Sequence, residues 1–433
     1  MQRDLYQKLL AWKTSPRRKP LVLQGARQVG KTYLLKKFGK NEYEDFAYFN
    51  FEEDPGLKEY FQGVLLPEKI LQKLEIHRGK KIEPQKTLVF FDEIQESSEA
   101  LNSLKYFCEQ ANNFHVVSAG SLLGVKVDHK RSFPVGKVNF LHLYPLTFLE
   151  FLAAQGKIHL KNLIEGLQPF ESLEGPIHRE LIDDLRLYYA IGGMPEAVFH
   201  YTEHRDLQET RVIQQEILKA YTLDFAKHAH PSDVMKIATV WEALPAQLAK
   251  ENKKFVFSAI KSSARAREYE TAIQWLVDAG LVYKVKNISK PHLPLASYAD
   301  AQAFKLYSLD VGLLAAMTHL VPQTLLQADK LFTEFKGALT ENYVAQELVA
   351  THDQALYYWT SPGKAEVDFL LEFKGEIYPL EVKSGLSQKT RSLRVYEEIY
   401  HPTTLSRTSI MNFKKDGGIS NYPLYSMVRF PME

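Results

Sequence analysis

The chain of 433 residues carries a single cysteine, Cys108. One thiol excludes an internal disulfide and leaves no cysteine-based zinc site. Nor is there an uncharged apolar run of the ~18 or more residues that a membrane-spanning helix needs, so no membrane partner is expected. The opening Met1-Gln2-Arg3-Asp4-Leu5-Tyr6 runs into an amphipathic helical pattern, unlike the apolar core of a secretory leader. These absences point to a reducing, cytoplasmic setting. A dominant sign of charge is also missing. The 54 Lys and Arg stand against 52 Asp and Glu, leaving +2, which excludes nucleic-acid binding by bulk electrostatics and restricts such contact to a local basic patch. There is no internal repeat and no low-complexity tract.

What is present is the composition of a folded globular chain, 45% hydrophobic and 24% charged, long enough for two or three domains. Residues 1–150 alternate apolar runs with helical patterns, the mark of a parallel α/β sheet covered on both faces. Strands are expected at 21–24, 46–51, 87–91, 114–118 and 138–143, with helices at about 31–38, 57–77 and 98–111. Residues 151–230 read as a helical lid interrupted at Gly192-Gly193-Met194-Pro195. Residues 231–290 give three helices and then Ala279-Gly280-Leu281-Val282-Tyr283, the order of a winged helix. The final unit, 291–433, should hold a helix at about 334–351 and strands near 356–359, 366–373 and 376–383.

The run Gly25-Ala26-Arg27-Gln28-Val29-Gly30-Lys31-Thr32 fits the phosphate-binding loop G-x-x-x-x-G-K-[ST], between an apolar strand and a helix. Its glycines let the backbone wrap phosphates, and successive N–H groups with the helix N-terminus supply fixed positive potential. Lys31 would reach the β- and γ-phosphates of ATP, and Thr32 would hold Mg²⁺. The second half is Leu88-Val89-Phe90-Phe91-Asp92-Glu93, a buried strand ending in two carboxylates. Asp92 would bind Mg²⁺ through water, and Glu93 would polarise the attacking water. Another strand and helix fit between these motifs, so their strands need not be neighbours. Ser118, or less favourably Ser121, would sense the γ-phosphate from the end of the next strand, and a simple turn residue is the competing reading of either. Arg131 and Lys137 are candidates for a charge lent to a neighbouring subunit of a homo-oligomer, although solvated basic side chains are the simpler reading of both.

The stretch from Arg18-Lys19-Pro20 to Gly30-Lys31-Thr32 resembles the opening of a large family of bacterial and archaeal predicted AAA+ ATPases, in which this domain is joined to a C-terminal domain of unknown function. The likeness continues through Ser132–Val138, Tyr144–Phe148, Gly192–Ala197 and Leu309–Leu314 and covers nearly the whole chain. In related archaeal and STAND-type ATPases a Gly-x-Pro of the lid packs on the nucleotide, so the resemblance implies that Gly193, Met194 and Pro195 do so here. A plain helix-breaking turn explains the glycines equally well.

Near the end, Asp368 precedes Glu381-Val382-Lys383 across a turn at Gly375. Such a hairpin would place Asp368, Glu381 and Lys383 at one end of a sheet, where two carboxylates can hold Mg²⁺ and a lysine can orient a nucleophile. This is similar to the restriction-endonuclease and Holliday-junction-resolvase core, with Glu341 and Glu347 as extra ligands and Glu366 as a substitute for Asp368. Lys261, Arg265 and Arg267 begin the expected recognition helix, accompanied by Glu268 and Glu270, so a DNA reader and a protein-binding module are both compatible with it. The expectation is therefore an α/β AAA+-type ATPase core, a helical lid, a winged helix and a nuclease-like domain. ATP and Mg²⁺ would drive action on DNA. The competing readings are an ATP-dependent nuclease and a signalling or scaffold switch with a protein partner.

Overall fold

The apolar runs of the first 150 residues become a five-stranded sheet, β1 (Leu21–Gln24), β2 (Asp45–Asn50), β3 (Thr87–Asp92), β4 (His115–Ala119) and β5 (Asn139–His142). This is a computed structural model, and it describes residues 1–120, 136–250, 254–260, 265–326, 333–363, 365–386 and 390–432. The strand order is β2-β3-β4-β1-β5, and every neighbouring pair is parallel. β4 thus lies between the two motif strands β1 and β3. β3 and β4 are buried at every position, as a sheet covered on both faces requires. Around it stand α1 (Leu5–Thr14), α2 (Lys31–Glu42), α3 (Pro67–Arg78) and α4 (Ser98–Gln110). On one side Phe51, Phe61, Phe91 and Phe107 pack edge to face, each ring contributing roughly 1.5–3 kcal/mol by leaving water.

The single helix expected at 57–77 is two elements, a 3₁₀ segment Pro55–Phe61 and then α3. Pro67 explains the restart. It has no N–H to donate and sits at the first position of α3, where none is needed.

The chain divides into two compact units, Gln2–Tyr144 with Asp278–Gly280, and Pro145–Val277 with Leu281–Glu433. The second unit opens with helices α5 (Phe148–Ala154), α6 (Ile158–Gly166), α7 (Gly175–Ile191), α8 (Pro195–His204), α9 (Leu207–His228), α10 (Pro231–Leu248) and α11 (Ala266–Asp278). It continues with β6 (Val282–Ile288), β7 (Ala299–Ser308), α12 (Val311–Met317), α13 (Pro322–Leu326), α14 (Thr333–His352), β8 (Tyr357–Thr360), β9 (Glu366–Phe373) and β10 (Glu376–Val382). It ends with α15 (Arg391–Tyr400), β11 (Leu405–Ser409), β12 (Lys414–Asp416) and β13 (Ile419–Pro423). The strands form one mixed sheet, β12-β13-β11-β10-β9-β8-β6-β7.

Residues 231–290, expected as a winged helix, depart from that order in two respects. Among the described residues, α10 and α11 are joined through a 3₁₀ turn at Phe257–Ala259 where a third helix was anticipated. β6 pairs antiparallel with β7 as a wing would, but its other edge pairs parallel with β8, Lys286 opposite Tyr357. A boundary at 290/291 therefore passes through a continuous sheet. An apolar strand has two hydrogen-bonding edges, and its own sequence does not say what occupies the second.

Candidate active site

The phosphate-binding loop occupies the turn from β1 into α2. Gly25 has φ +146°, and a Cβ there would lie 2.2 Å from the Leu143 carbonyl oxygen, so both conformation and space demand glycine. Gly30 has φ 94° and ends the loop immediately before Lys31 opens α2. Arg3 secures the loop from outside, donating from Nη1 to the Val29 carbonyl at 3.0 Å and from Nη2 to that of Tyr144. Sequence reading placed Arg3 only in a helix-start pattern. Nothing local signals that it reaches 26 residues along the chain.

Lys31 is buried, and its ammonium donates to the carbonyls of Gly25 at 2.9 Å and Ala26 at 2.7 Å. Burial lowers its pKa to about 8, against the pull of Glu93 and Asp92. The Thr32 hydroxyl donates to Asp92 Oδ2 at 2.8 Å, joining the loop to the end of β3. The same oxygen accepts from Tyr48 at 3.0 Å, and Asp92 Oδ1 accepts the Glu93 N–H at 3.1 Å. Asp92 is pushed above the ordinary carboxylate range by burial, with the Thr32 and Tyr48 donors opposing. Glu93, at φ 50°, accepts from Gln95 and is likewise raised by burial, against the Gln95 hydrogen bond and the Lys31 charge. A buried ammonium, a hydroxyl on a carboxylate and a second, less acidic carboxylate are the parts of a phosphoryl-transfer site.

Residues 17–152 match the family model of an AAA domain. The N-terminal unit is an AAA-type P-loop ATPase domain. Residues 182–324 and 336–427 match two domains of unknown function, DUF8612 and DUF4143. Among solved structures the chain is similar to a Walker-type ATPase of Pyrococcus abyssi, at 14% identity over 73% of this chain and 95% of that one, with a TM-score of 0.46. It is also similar to the Thermotoga maritima RuvB Holliday junction branch migration motor, at 14% over 65% and 89%, TM-score 0.31. A third is the Aeropyrum pernix Orc1 protein in complex with DNA, at 12% over 73% and 90%, TM-score 0.29. No curated protein matches in sequence.

Other expected residues of the AAA domain fall differently. Ser118 is fully buried within β4, opposite Val22, and its hydroxyl donates to the Leu21 carbonyl at 3.1 Å. That hydroxyl is thus engaged within the sheet, one residue before the end of β4. Ser121 and Arg131 lie outside the described residues. Lys137 pairs with Glu109 at 2.8 Å, the solvated-charge reading.

Gly193-Met194-Pro195 belongs to the second unit, where it lies in a buried polar knot. The Gly193 N–H donates to Asp310 Oδ2 at 2.6 Å, and its carbonyl accepts from Leu146 N at 2.7 Å. Asp310 Oδ1 caps α12 by accepting from Leu313 N at 2.9 Å. Gln346 of α14 donates to the Tyr188 hydroxyl at 2.8 Å and accepts from Val311 N at 2.9 Å. The two sequence signatures Gly192–Ala197 and Leu309–Leu314 are therefore one tertiary feature.

At the open end of the β9–β10 hairpin, Asp368 Oδ2 accepts from Val382 N at 2.7 Å, and Lys383 Nζ sits 2.7 Å from Glu381 Oε1. Asp368, Glu381 and Lys383 thus share one end of the sheet. Glu341 faces the same region, accepting from the Tyr307 hydroxyl at 3.1 Å. Glu347 does not. It accepts from Phe148 N at 2.8 Å at the start of α5, which corrects its reading as an extra metal ligand. Six residues along a helix turn the side chain by about 120°, onto another face. Among the described residues no group of three or more His, Cys, Asp and Glu is arranged to hold a metal ion. Lys305 of β7 lies beside Glu366 here and was missed, although a lysine inside the apolar run Ala303–Tyr307 was a usable sign of a buried partner. Arg265 and Arg267 are exposed at the start of α11 beside exposed Glu268 and Glu270, and Lys261 lies outside the described residues.

Proposed function

We propose that the AAA domain hydrolyses Mg²⁺-bound ATP and that this cycle switches the C-terminal half, which acts on DNA. The observation that carries the reading is the Thr32–Asp92 hydrogen bond, because it sets two hard oxygen donors side by side next to Lys31. Thr32 and Asp92 would hold Mg²⁺, which when bound supplies positive charge for the phosphates. Lys31 exchanges its loop carbonyls for phosphate oxygens. Glu93, made more basic by burial, accepts the proton of the attacking water. The N–H groups of 25–32 receive charge that builds on the phosphate oxygens.

Within the second unit a path runs from Gly193 through Asp310 to Gln346, which supports transmission from the lid motif onward through that unit. Gln346 and Glu341 are five residues apart on α14, about 7.5 Å along its axis, so one rigid helix joins the lid motif to the Asp368 region. Among the described residues no helix is long and apolar enough to cross a membrane. Exposed Arg265 and Arg267 suit a phosphate backbone. Their acidic neighbours Glu268 and Glu270 favour the second reading, a switch that recruits a protein.

Steady-state ATP hydrolysis with and without single- and double-stranded DNA, for wild type, Lys31→Ala and Glu93→Gln, tests the proposal. Both variants should lose turnover, and DNA should raise the wild-type rate several-fold. Turnover that needs Lys31 and Glu93 but ignores DNA would transfer the proposal to a protein partner. In that case nucleotide would change the oligomeric mass without any effect of DNA.

A further inference from the structure

Residues 303–308 of β7, Ala-Phe-Lys-Leu-Tyr-Ser, are buried at every position. An ammonium in such a strand is costly unless acids surround it. Lys305 Nζ lies 2.5 Å from Glu366 Oε1, 3.9 Å from Glu341 Oε2 and 4.0 Å from Asp368 Oδ1, with the Tyr358 ring 4.8 Å away. Three carboxylates therefore face this one ammonium within 4.0 Å, an arrangement that favours its charged form.

The carboxylates that would ligate a metal are already engaged. Asp368 presents Oδ1 to Lys305 and takes the Val382 N–H on Oδ2. Glu366 is on Lys305, and Glu341 is shared between Lys305 and the Tyr307 hydroxyl. Glu381 Oε1 is on Lys383, and its charge is also felt by buried Arg407. Glu381 Oε2 is buried and has no hydrogen-bond partner among the described residues. A divalent cation of the magnesium or calcium type is held by several oxygens at once. Four carboxylates facing the fixed cations Lys305, Lys383 and Arg407 are nearly balanced without one.

We propose that Lys305 is the resident cation of this cluster, supplying from within the fold the charge that a divalent metal would bring, so that the C-terminal module binds its partner without metal-dependent cleavage. The inference concerns the cluster alone and holds whether that partner is DNA or protein.

The test uses the full chain carrying Asp92→Asn, which removes the metal ligand of the AAA domain, without nucleotide. Mn²⁺ uptake is followed by loss of the free-ion spin-resonance signal, and nicking of supercoiled plasmid is scored in parallel. This protein should take up no Mn²⁺ at the C-terminal cluster and should nick nothing. Adding Lys305→Met, a change of similar volume, should create one Mn²⁺ site, with the thermal midpoint rising as Mn²⁺ is added. The proposal fails if the Asp92→Asn protein binds one Mn²⁺ that Asp368→Asn removes, or if Lys305→Met folds and binds none. Should Lys305→Met fail to fold, the Mn²⁺ titration with and without Asp368→Asn still decides the matter.

Discussion

The Thr32 hydroxyl donates to Asp92 Oδ2 across 2.8 Å, tying the first turn of α2 to the end of β3 although the residues are 60 apart in the chain. Glu93 follows directly, raised by burial. Glu93→Gln should lower kcat by roughly 10²–10⁴-fold while ATP still binds, because the amide cannot accept the proton of water but leaves the phosphate loop intact. Thr32→Ala should lower both turnover and its Mg²⁺ dependence. Steady-state hydrolysis beside equilibrium nucleotide binding checks this, and wild-type turnover in Glu93→Gln would remove the assigned base.

Lys31 sets a pH dependence. Its pKa is lowered to about 8 by burial, and phosphate recognition needs the ammonium. ATP affinity should therefore fall as pH rises through about 8, while Lys31→Arg, charged throughout, should show no such step. The effect on stability has the opposite sign. Between about 8 and the ordinary lysine value of 10.5 the folded protein holds fewer protons than the unfolded chain, so the nucleotide-free fold gains stability from this group with rising pH. Calorimetric ATP titration across that window, together with denaturant unfolding, measures both.

The polar knot around Asp310 predicts a loss of stability. A Cβ on Gly193 would lie 2.1 Å from the Leu146 carbonyl oxygen, a backbone atom that cannot step aside. Gly193→Ala should cost about 1–3 kcal/mol or more by overpacking. Asp310→Ala leaves the Gly193 and Leu313 N–H groups buried without acceptors, roughly 1–3 kcal/mol for each. Urea unfolding would read both, and a variant as stable as wild type would show that the knot is dispensable.

If α11 meets a phosphate backbone, replacing Arg265 and Arg267 by Glu should leave basal hydrolysis unchanged and abolish its stimulation by DNA. The salt dependence of DNA binding should weaken by about one unit of slope per lost contact. Stimulation that survives the double variant would place any DNA contact elsewhere.

The amino-acid sequence alone determined the features whose physics is local. Gly25 and Gly30 are needed where the backbone turns, the wholly apolar Leu88–Phe91 requires a buried strand, and Gly192-Gly193 with Pro195 must break a helix. The sequence also allowed that the two motif strands need not be neighbours, but the strand between Thr32 and Asp92 is β2, which lies beyond β3 at the sheet edge, and it is the later β4 that separates β1 from β3.

Only the tertiary structure decided which distant groups meet. Arg3 reaches Val29 and Tyr144, and Lys305 meets Glu366, Glu341 and Asp368. Ser118 spends its hydroxyl on Leu21, Glu347 turns to Phe148, and β6 finds β8 on its second edge. A hydrogen bond or ion pair needs its partner within about 3–4 Å, and that distance is set by how strands and helices cross, which residue order does not encode locally.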